Sequence, residues 1–237
     1  MSGELMILLG TAISLGFVHT VIGPDHYLPF IAMARIGRWS AAKTGIVTLL
    51  CGIGHVLSSI VLGFLGIALG LAVSKLEAFE SARGEIAAWM LIAFGFTYFV
   101  YGIHRAIRGK PHEHPHIHED TGPHAHLHAH TGDHTHVHAG ERIQSMTPWI
   151  LFTIFVFGPC EVLIPLVMYT EARNGLAAAM LISGVFGAAT VATMMTLVLG
   201  SALGLSRLPL GRLERYSTAL AGLLIFLCGG AIKWLGL

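Results

Sequence analysis

Apolar residues run through this chain in six long stretches, at about residues 5–34, 42–73, 85–107, 147–170, 175–203 and 216–237. Each exceeds the roughly 20 residues an α-helix needs to cross a bilayer. The pattern predicts an all-α integral membrane protein with six transmembrane helices. The first and fourth stretches each contain a Gly-Pro step, Gly23-Pro24 and Gly158-Pro159. Proline removes a backbone donor and clashes with the preceding turn, so both helices are expected to be interrupted there. The segments that follow align, GPDHYLPFIAM against GPCEVLIPLVM, with Gly-Pro at the start, Leu at the sixth place and Met at the eleventh. Three spans per half force the halves into opposite orientation, which is an inverted repeat. In that correspondence Asp25-His26 pairs with Cys160-Glu161.

The halves, residues 1–109 and 142–237, are separated by a segment of another kind over residues 110–141, which holds eleven of the fifteen histidines. It reads as three decapeptides, PHEHPHIHED, TGPHAHLHAH and TGDHTHVHAG, each with His at its fourth, sixth and eighth places. These are His114, His116, His118, His124, His126, His128, His134, His136 and His138. Nothing in it offers an apolar face, so a mobile loop without packed structure is expected. Imidazole ligates divalent Ni, Co, Zn or Cu readily near neutral pH, and the segment is expected to bind such ions rather than to act as a plain spacer.

Composition agrees with the membrane assignment: 54% of the 237 residues are hydrophobic and 11% charged, against about 25% in soluble domains. Net charge is +1 with histidine neutral, so no basic field points to nucleic acid. Ten of the fourteen Lys and Arg lie in the first, third and fifth loops, which places those loops in the cytoplasm and both termini outside, in a cell (inner) membrane. The first apolar run carries Glu4 and no Lys or Arg ahead of it, so it is expected to be a retained span rather than a cleaved signal peptide. Cys51, Cys160 and Cys228 all lie in apolar stretches, which argues against a secreted-type disulfide framework.

Candidate chemistry sits inside the spans. His19, Asp25 and His26 interrupt the first stretch, and ionisable groups in hydrocarbon usually face a cavity or a partner. His55 and Cys160 lie near the middle of the second and fourth stretches, with Glu161 adjacent. Together His19, Asp25, His26, His55, Cys160 and Glu161 form a mixed N, O and S set suited to a borderline transition-metal ion and ill suited to Mg or Ca. Each has a plainer alternative: a lone histidine can bond a neighbouring helix, and a free cysteine is ordinarily a small buried hydrophobe.

The Asp25-His26 pair preceded by His19, the Gly54-His55 step in the next span and the His-rich segment between halves resemble the NicO group of nickel and cobalt transporters. That group belongs to the LysE-like superfamily and includes UreH-like proteins and six-span exporters with a His-rich loop. Here the interval from His19 to Asp25 is one residue longer than in that group's first motif. The segment GPCEVLIPL looks instead like the Pro-Cys segment of DsbD-like thiol carriers. The resemblance to the first group implies a transporter of divalent transition metals, Ni or Co, with Zn or Cu as further cargo and no other cofactor. The ion would bind between the halves, and a cytoplasmic His-rich loop slightly favours export. Its partners would be the ion, the bilayer and a cytoplasmic metallochaperone. Two other readings stay open: a thiol-disulfide electron carrier using Cys160 and Cys51, and a metal-binding accessory or sensor protein. No Walker loop, dinucleotide signature or H-E-x-x-H helix points to an enzyme.

Overall fold

The computed structural model describes residues 3–108, 112–116, 124–128, 139–205 and 211–235. They form α1 (Gly3–Ile22), a 3-10 turn (Pro24–His26), α2 (Leu28–Ile36), α3 (Ala41–Ala68), α4 (Val73–Arg108), two short strands β1 (His112–His116) and β2 (His124–His128), α5 (Ala139–Phe157), α6 (Leu163–Asn174), α7 (Leu176–Leu205), a second 3-10 turn (Gly211–Tyr216) and α8 (Ser217–Leu235). Five helical segments are long and apolar enough to cross a bilayer: Gly3–Ile22, Ala41–Ala68, Val73–Ile107, Leu176–Ala202 and Glu214–Leu235. Large apolar side chains such as Ile7, Phe17, Ile46, Leu57, Val61 and Leu181 are exposed on them, as in a multi-pass membrane protein.

Both expected interruptions are present. Pro24 cannot donate to the Thr20 carbonyl, and α1 ends two residues before it, with the Gly23 amide bonded to the His19 carbonyl at 3.0 Å. Pro159 likewise cannot donate to the Phe155 carbonyl, and the chain leaves α5 at Phe157 and re-enters a helix only at Leu163. The fourth apolar stretch is therefore two helices rather than one long span, its apolar first part being the short Thr147–Phe157. The third span, α4, differs from expectation in the other direction. It starts at Val73, twelve residues before the apolar stretch, because a polar turn containing Lys75, Glu77, Glu80 and Arg83 continues the helix and buries Leu76 and Glu80. In the His-rich segment, β1 and β2 pair antiparallel with His112, His114 and His116 opposite His128, His126 and His124. The alternating His-x-His pattern suits an extended backbone of period two, which a reading from composition alone overlooks.

Helix packing sets the site's surroundings. Helices α4 and α8 run antiparallel along a glycine seam: Gly95 lies against Phe226, Gly102 against Ala219, Gly222 against Phe99 and Gly229 against Ile92, each without room for a Cβ. Lys233 and Glu85 pair at 2.6 Å near one end, and Arg215 bonds the Ala106 carbonyl near the other. Helix α7 packs on α1, α3 and α6, and α3 packs on α5. Two apolar clusters result. One joins α2, α3, α4, α5, α7 and α8 around Phe30, Tyr98, Phe155 and Met194, and the other joins α1, α6 and α7 around Leu8, Leu163, Ile182 and Phe186.

Candidate metal centre

Three imidazoles meet where these clusters adjoin. His19 comes from the last turn of α1, His26 from the 3-10 turn after Pro24, and His55 from halfway along α3. One ligand nitrogen from each lies within 4.8 Å of the others, and His26 and His55 are buried. The His19 ring centroid is 4.6 Å from that of His26 and 6.3 Å from Phe186, while Phe155 flanks His26 and His55 at 6.5 and 6.1 Å. Space at both Gly-Pro steps belongs to these rings. A Cβ on Gly23 would lie 2.5 Å from His26 Nδ1, and one on Gly158 would lie 3.0 Å from His55 Nδ1.

Hydrogen bonding fixes how the rings are protonated. His26 Nδ1 is 3.1 Å from the Gly23 carbonyl oxygen and 3.1 Å from Asp25 Oδ1. His55 Nδ1 is 3.3 Å from the Phe155 carbonyl oxygen, the acceptor that Pro159 leaves without its helical donor. A carbonyl oxygen only accepts, so in both rings Nδ1 carries the proton and donates. Nε2 is then the free position of each ring, and these two atoms face each other at 3.3 Å. Two acceptors at that distance need a cation between them, a proton or a metal ion. Held imidazoles with Nδ1–H on an oxygen and Nε2 free are the usual arrangement of histidine ligands.

Two of the ligand-to-ligand distances match those around a tetrahedral ion. Metal–nitrogen bonds of 2.0–2.1 Å at a tetrahedral angle put two nitrogens about 3.3 Å apart, and a thiolate sulfur about 3.6 Å from a nitrogen. The observed His26–His55 separation is 3.3 Å, and Cys160 Sγ, fully buried, lies 3.7 Å from His19 Nε2. Of the six residues singled out from the sequence, three are brought together as one cluster, His19, His26 and His55, and Cys160 lies beside it, against His19. Asp25 stands behind His26, where its carboxylate orients the ring. With His55 it also borders a cavity of about 20 Å³ walled by Ala87, Leu91, Phe155 and Ile232, space for about one water-sized particle. Glu161 is exposed and stands apart from the cluster. In the His-rich segment His114 and His116 lie on β1 and His124, His126 and His128 on β2; His118, His134, His136 and His138 lie outside the described residues.

Two residues not expected from sequence complete the neighbourhood. Glu80, with no exposed surface, accepts hydrogen bonds from the Cys160 amide at 3.0 Å and the Ser59 hydroxyl at 3.3 Å. Arg83 pairs with Glu80 and donates to the Val156 carbonyl and to Ser58 Oγ, each at 2.7 Å. The available signal was an acid and a base three residues apart on one helix, but hydropathy assigns that turn to a loop.

The fold and this site define a class: a largely helical chain with long apolar helices and a histidine triad, two of its rings buried, able to hold a metal ion. No family model, curated protein or solved structure matches the chain.

Proposed function

We propose that this protein carries divalent transition-metal ions, nickel or cobalt, across a membrane, and that the ion binds His19, His26, His55 and Cys160 midway. The observation that carries the reading is the pair of Nε2 atoms facing each other at 3.3 Å with both Nδ1 atoms committed to oxygens. Such a pair is closed by a shared proton or by a metal ion, and N and S donors together favour a borderline transition metal over Mg or Ca.

Alternating access through two inverted halves draws support from contacts that survive exchange of the halves. The step along the chain that takes Gly23 to Gly158 also takes Gly52 to Gly187 and Val56 to Val191. Gly52 abuts Val191, and Gly187 abuts Val56. In the third spans, the step from Gly95 to Gly222 takes Gly102 to Gly229, and their contacts with Phe226, Phe99, Ala219 and Ile92 exchange in the same way. On this plan α5 and α6 together make the fourth crossing, as α1 and α2 make the first. The excess of Lys and Arg in odd loops puts the His-rich segment in the cytoplasm and the termini outside. Trp89 and Trp234, 6.4 Å apart, then mark the outer interface, and Trp39, beside Lys43, marks the inner one. A cytoplasmic collector loop favours export.

The thiol-carrier alternative has less support, because Cys51 and Cys160 are free and belong to different apolar clusters. The deciding experiment is flux of a panel of divalent ions into sealed vesicles holding the purified protein. Uptake of Ni or Co that His26→Ala abolishes is expected. Metal-independent reduction of an external disulfide that requires both cysteines would instead establish the carrier.

A further inference from the structure

We propose that the Glu80–Arg83 ion pair is a positioning clamp that takes the place of a missing helical hydrogen bond at the α5–α6 break and thereby sets whether Cys160 reaches the bound ion. The proposal rests on the metal-site reading above. In an uninterrupted helix the Cys160 amide would donate to the Val156 carbonyl, four residues earlier. Pro159 opens the helix at that point, and both groups are left without their partner in the interior. The ion pair occupies the gap with matched polarity. The Glu80 carboxylate accepts a hydrogen bond from the Cys160 N–H at 3.0 Å, and the Arg83 guanidinium donates one to the Val156 carbonyl at 2.7 Å. The two side chains are bonded to each other, so together they bridge the two ends of the break.

The same pair is tied to the histidine side of the site. Arg83 donates to Ser58 Oγ at 2.7 Å, and the Ser58 hydroxyl donates to the His55 carbonyl at 2.8 Å. Glu80 also takes the hydroxyl of Ser59 on the same helix. One ion pair therefore references the cysteine strand of the break to the helix that carries His55. Glu80 is the only fully buried carboxylate among the described residues. A buried ion pair is a weak source of stability, since its desolvation offsets the Coulomb attraction. Its best-attested use is to fix one arrangement among near alternatives. The arrangement fixed here is the 3.7 Å approach of Cys160 Sγ to His19 Nε2.

The test uses the full-length protein loaded with Co²⁺. Only a cysteine ligand produces a thiolate-to-cobalt charge-transfer band in the near ultraviolet, and the His-rich segment, which contains no cysteine, cannot contribute one. The unmodified protein should show the band and Cys160→Ser should lack it. Glu80→Gln keeps an oxygen for the amide but releases Arg83, and should lose most of the band while cobalt stays bound with affinity reduced about 10- to 100-fold. Arg83→Lys keeps the charge pair and so guards against a simple loss of folding. One ammonium cannot hold Glu80, Ser58 and Val156 together, so this variant should remain monodisperse with a weakened, shifted band. A band unchanged in Glu80→Gln and Arg83→Lys but absent in Cys160→Ser overturns the clamp and leaves the metal site standing. Absence of any Cys160-dependent band in the unmodified protein overturns the clamp through its premise that Cys160 is a ligand. Absence also of intense visible bands of tetrahedral cobalt removes the metal site as well.

Discussion

The two Gly-Pro breaks begin alike and are closed by different means. After Pro24 the chain makes a single 3-10 turn and is helical again at Leu28; after Pro159 it takes until Leu163. The carbonyl four residues before Asp25, that of Val21, is met locally by the Tyr27 hydroxyl at 3.4 Å. Its counterpart, the Val156 carbonyl, is met by Arg83 from α4. The first break supplies an imidazole, His26, and keeps its carboxylate behind that ring. The second supplies a thiol, Cys160, and its carboxylate Glu161 turns outward. Backbone geometry alone therefore does not make a ligand site. Each break leaves donors and acceptors unpaired, and what pairs them decides which side chain is held facing inward.

The largest effect expected from this difference is at the corresponding positions of the two breaks, His26 and Glu161. His26→Ala removes one of the two facing nitrogens and should abolish high-affinity Ni or Co binding and flux, whereas Glu161→Gln should change neither appreciably. Asp25→Asn retains an oxygen for His26 Nδ1 but not its charge, and should lower affinity about 10-fold or more while leaving thermal unfolding nearly unchanged. Equal losses from His26→Ala and Glu161→Gln in vesicle flux would mean that the halves contribute symmetrically, contrary to the geometry.

Next in size is the pair of glycines. A methyl group on Gly23 would sit 2.5 Å from His26 Nδ1, too close for any relaxation that leaves the ring in place; on Gly158 it would sit 3.0 Å from His55 Nδ1, which a shift of a few tenths of an ångström relieves. Gly23→Ala should therefore weaken metal binding strongly and Gly158→Ala mildly, as read by titration with Co²⁺. The reverse order would show that the second break is the stiffer of the two.

Most of this contrast was legible in the sequence where it depends on local chemistry, and hidden where it depends on distant partners. Proline's missing donor announces both breaks, and histidines within apolar runs mark His19, His26 and His55. The turn that carries Glu80 and Arg83 is polar, so a hydropathy reading begins the third span only at Glu85 and takes those residues for loop. Their partners Cys160 and Val156 are brought near only by the fold. The outward turn of Glu161 was equally invisible, because adjacent residues at a break share a sequence context while facing opposite ways. Asp25 was legible as part of the site, but its place behind His26 is set by the tightness of the 3-10 turn.

A smaller effect is expected from the thiol itself. Cys160→Ser replaces a soft donor by a hard one on a site that keeps three imidazoles. It should shift preference away from softer ions with a moderate loss of affinity. Cys51→Ser, within the other apolar cluster, should leave metal flux unchanged. Should both substitutions reduce flux equally, the assignment of Cys160 alone to the site fails.

The smallest effect on the comparison comes from the His-rich segment. Its described histidines lie on β1 and β2, outside the helices, so deleting residues 111–140 should remove most of the low-affinity metal binding and leave slow transport. The ordering of Gly23→Ala and Gly158→Ala should be unaltered in the deleted background. The segment's binding should also separate from the site's by pH. Protons compete with metal for imidazole, whose ordinary pKa is about 6.5. Metal on the segment is therefore held above that value and released as pH falls through it. An ion at the buried site would be enclosed by oriented rings, and its release would also have to undo the hydrogen bonds from His26 and His55 to their oxygens. Titrating Co²⁺-loaded protein downward should therefore release the segment's ions first, with the thiolate band surviving to lower pH. Loss of both in one step near 6.5, or loss of folding on deletion, would show that segment and site form a single unit.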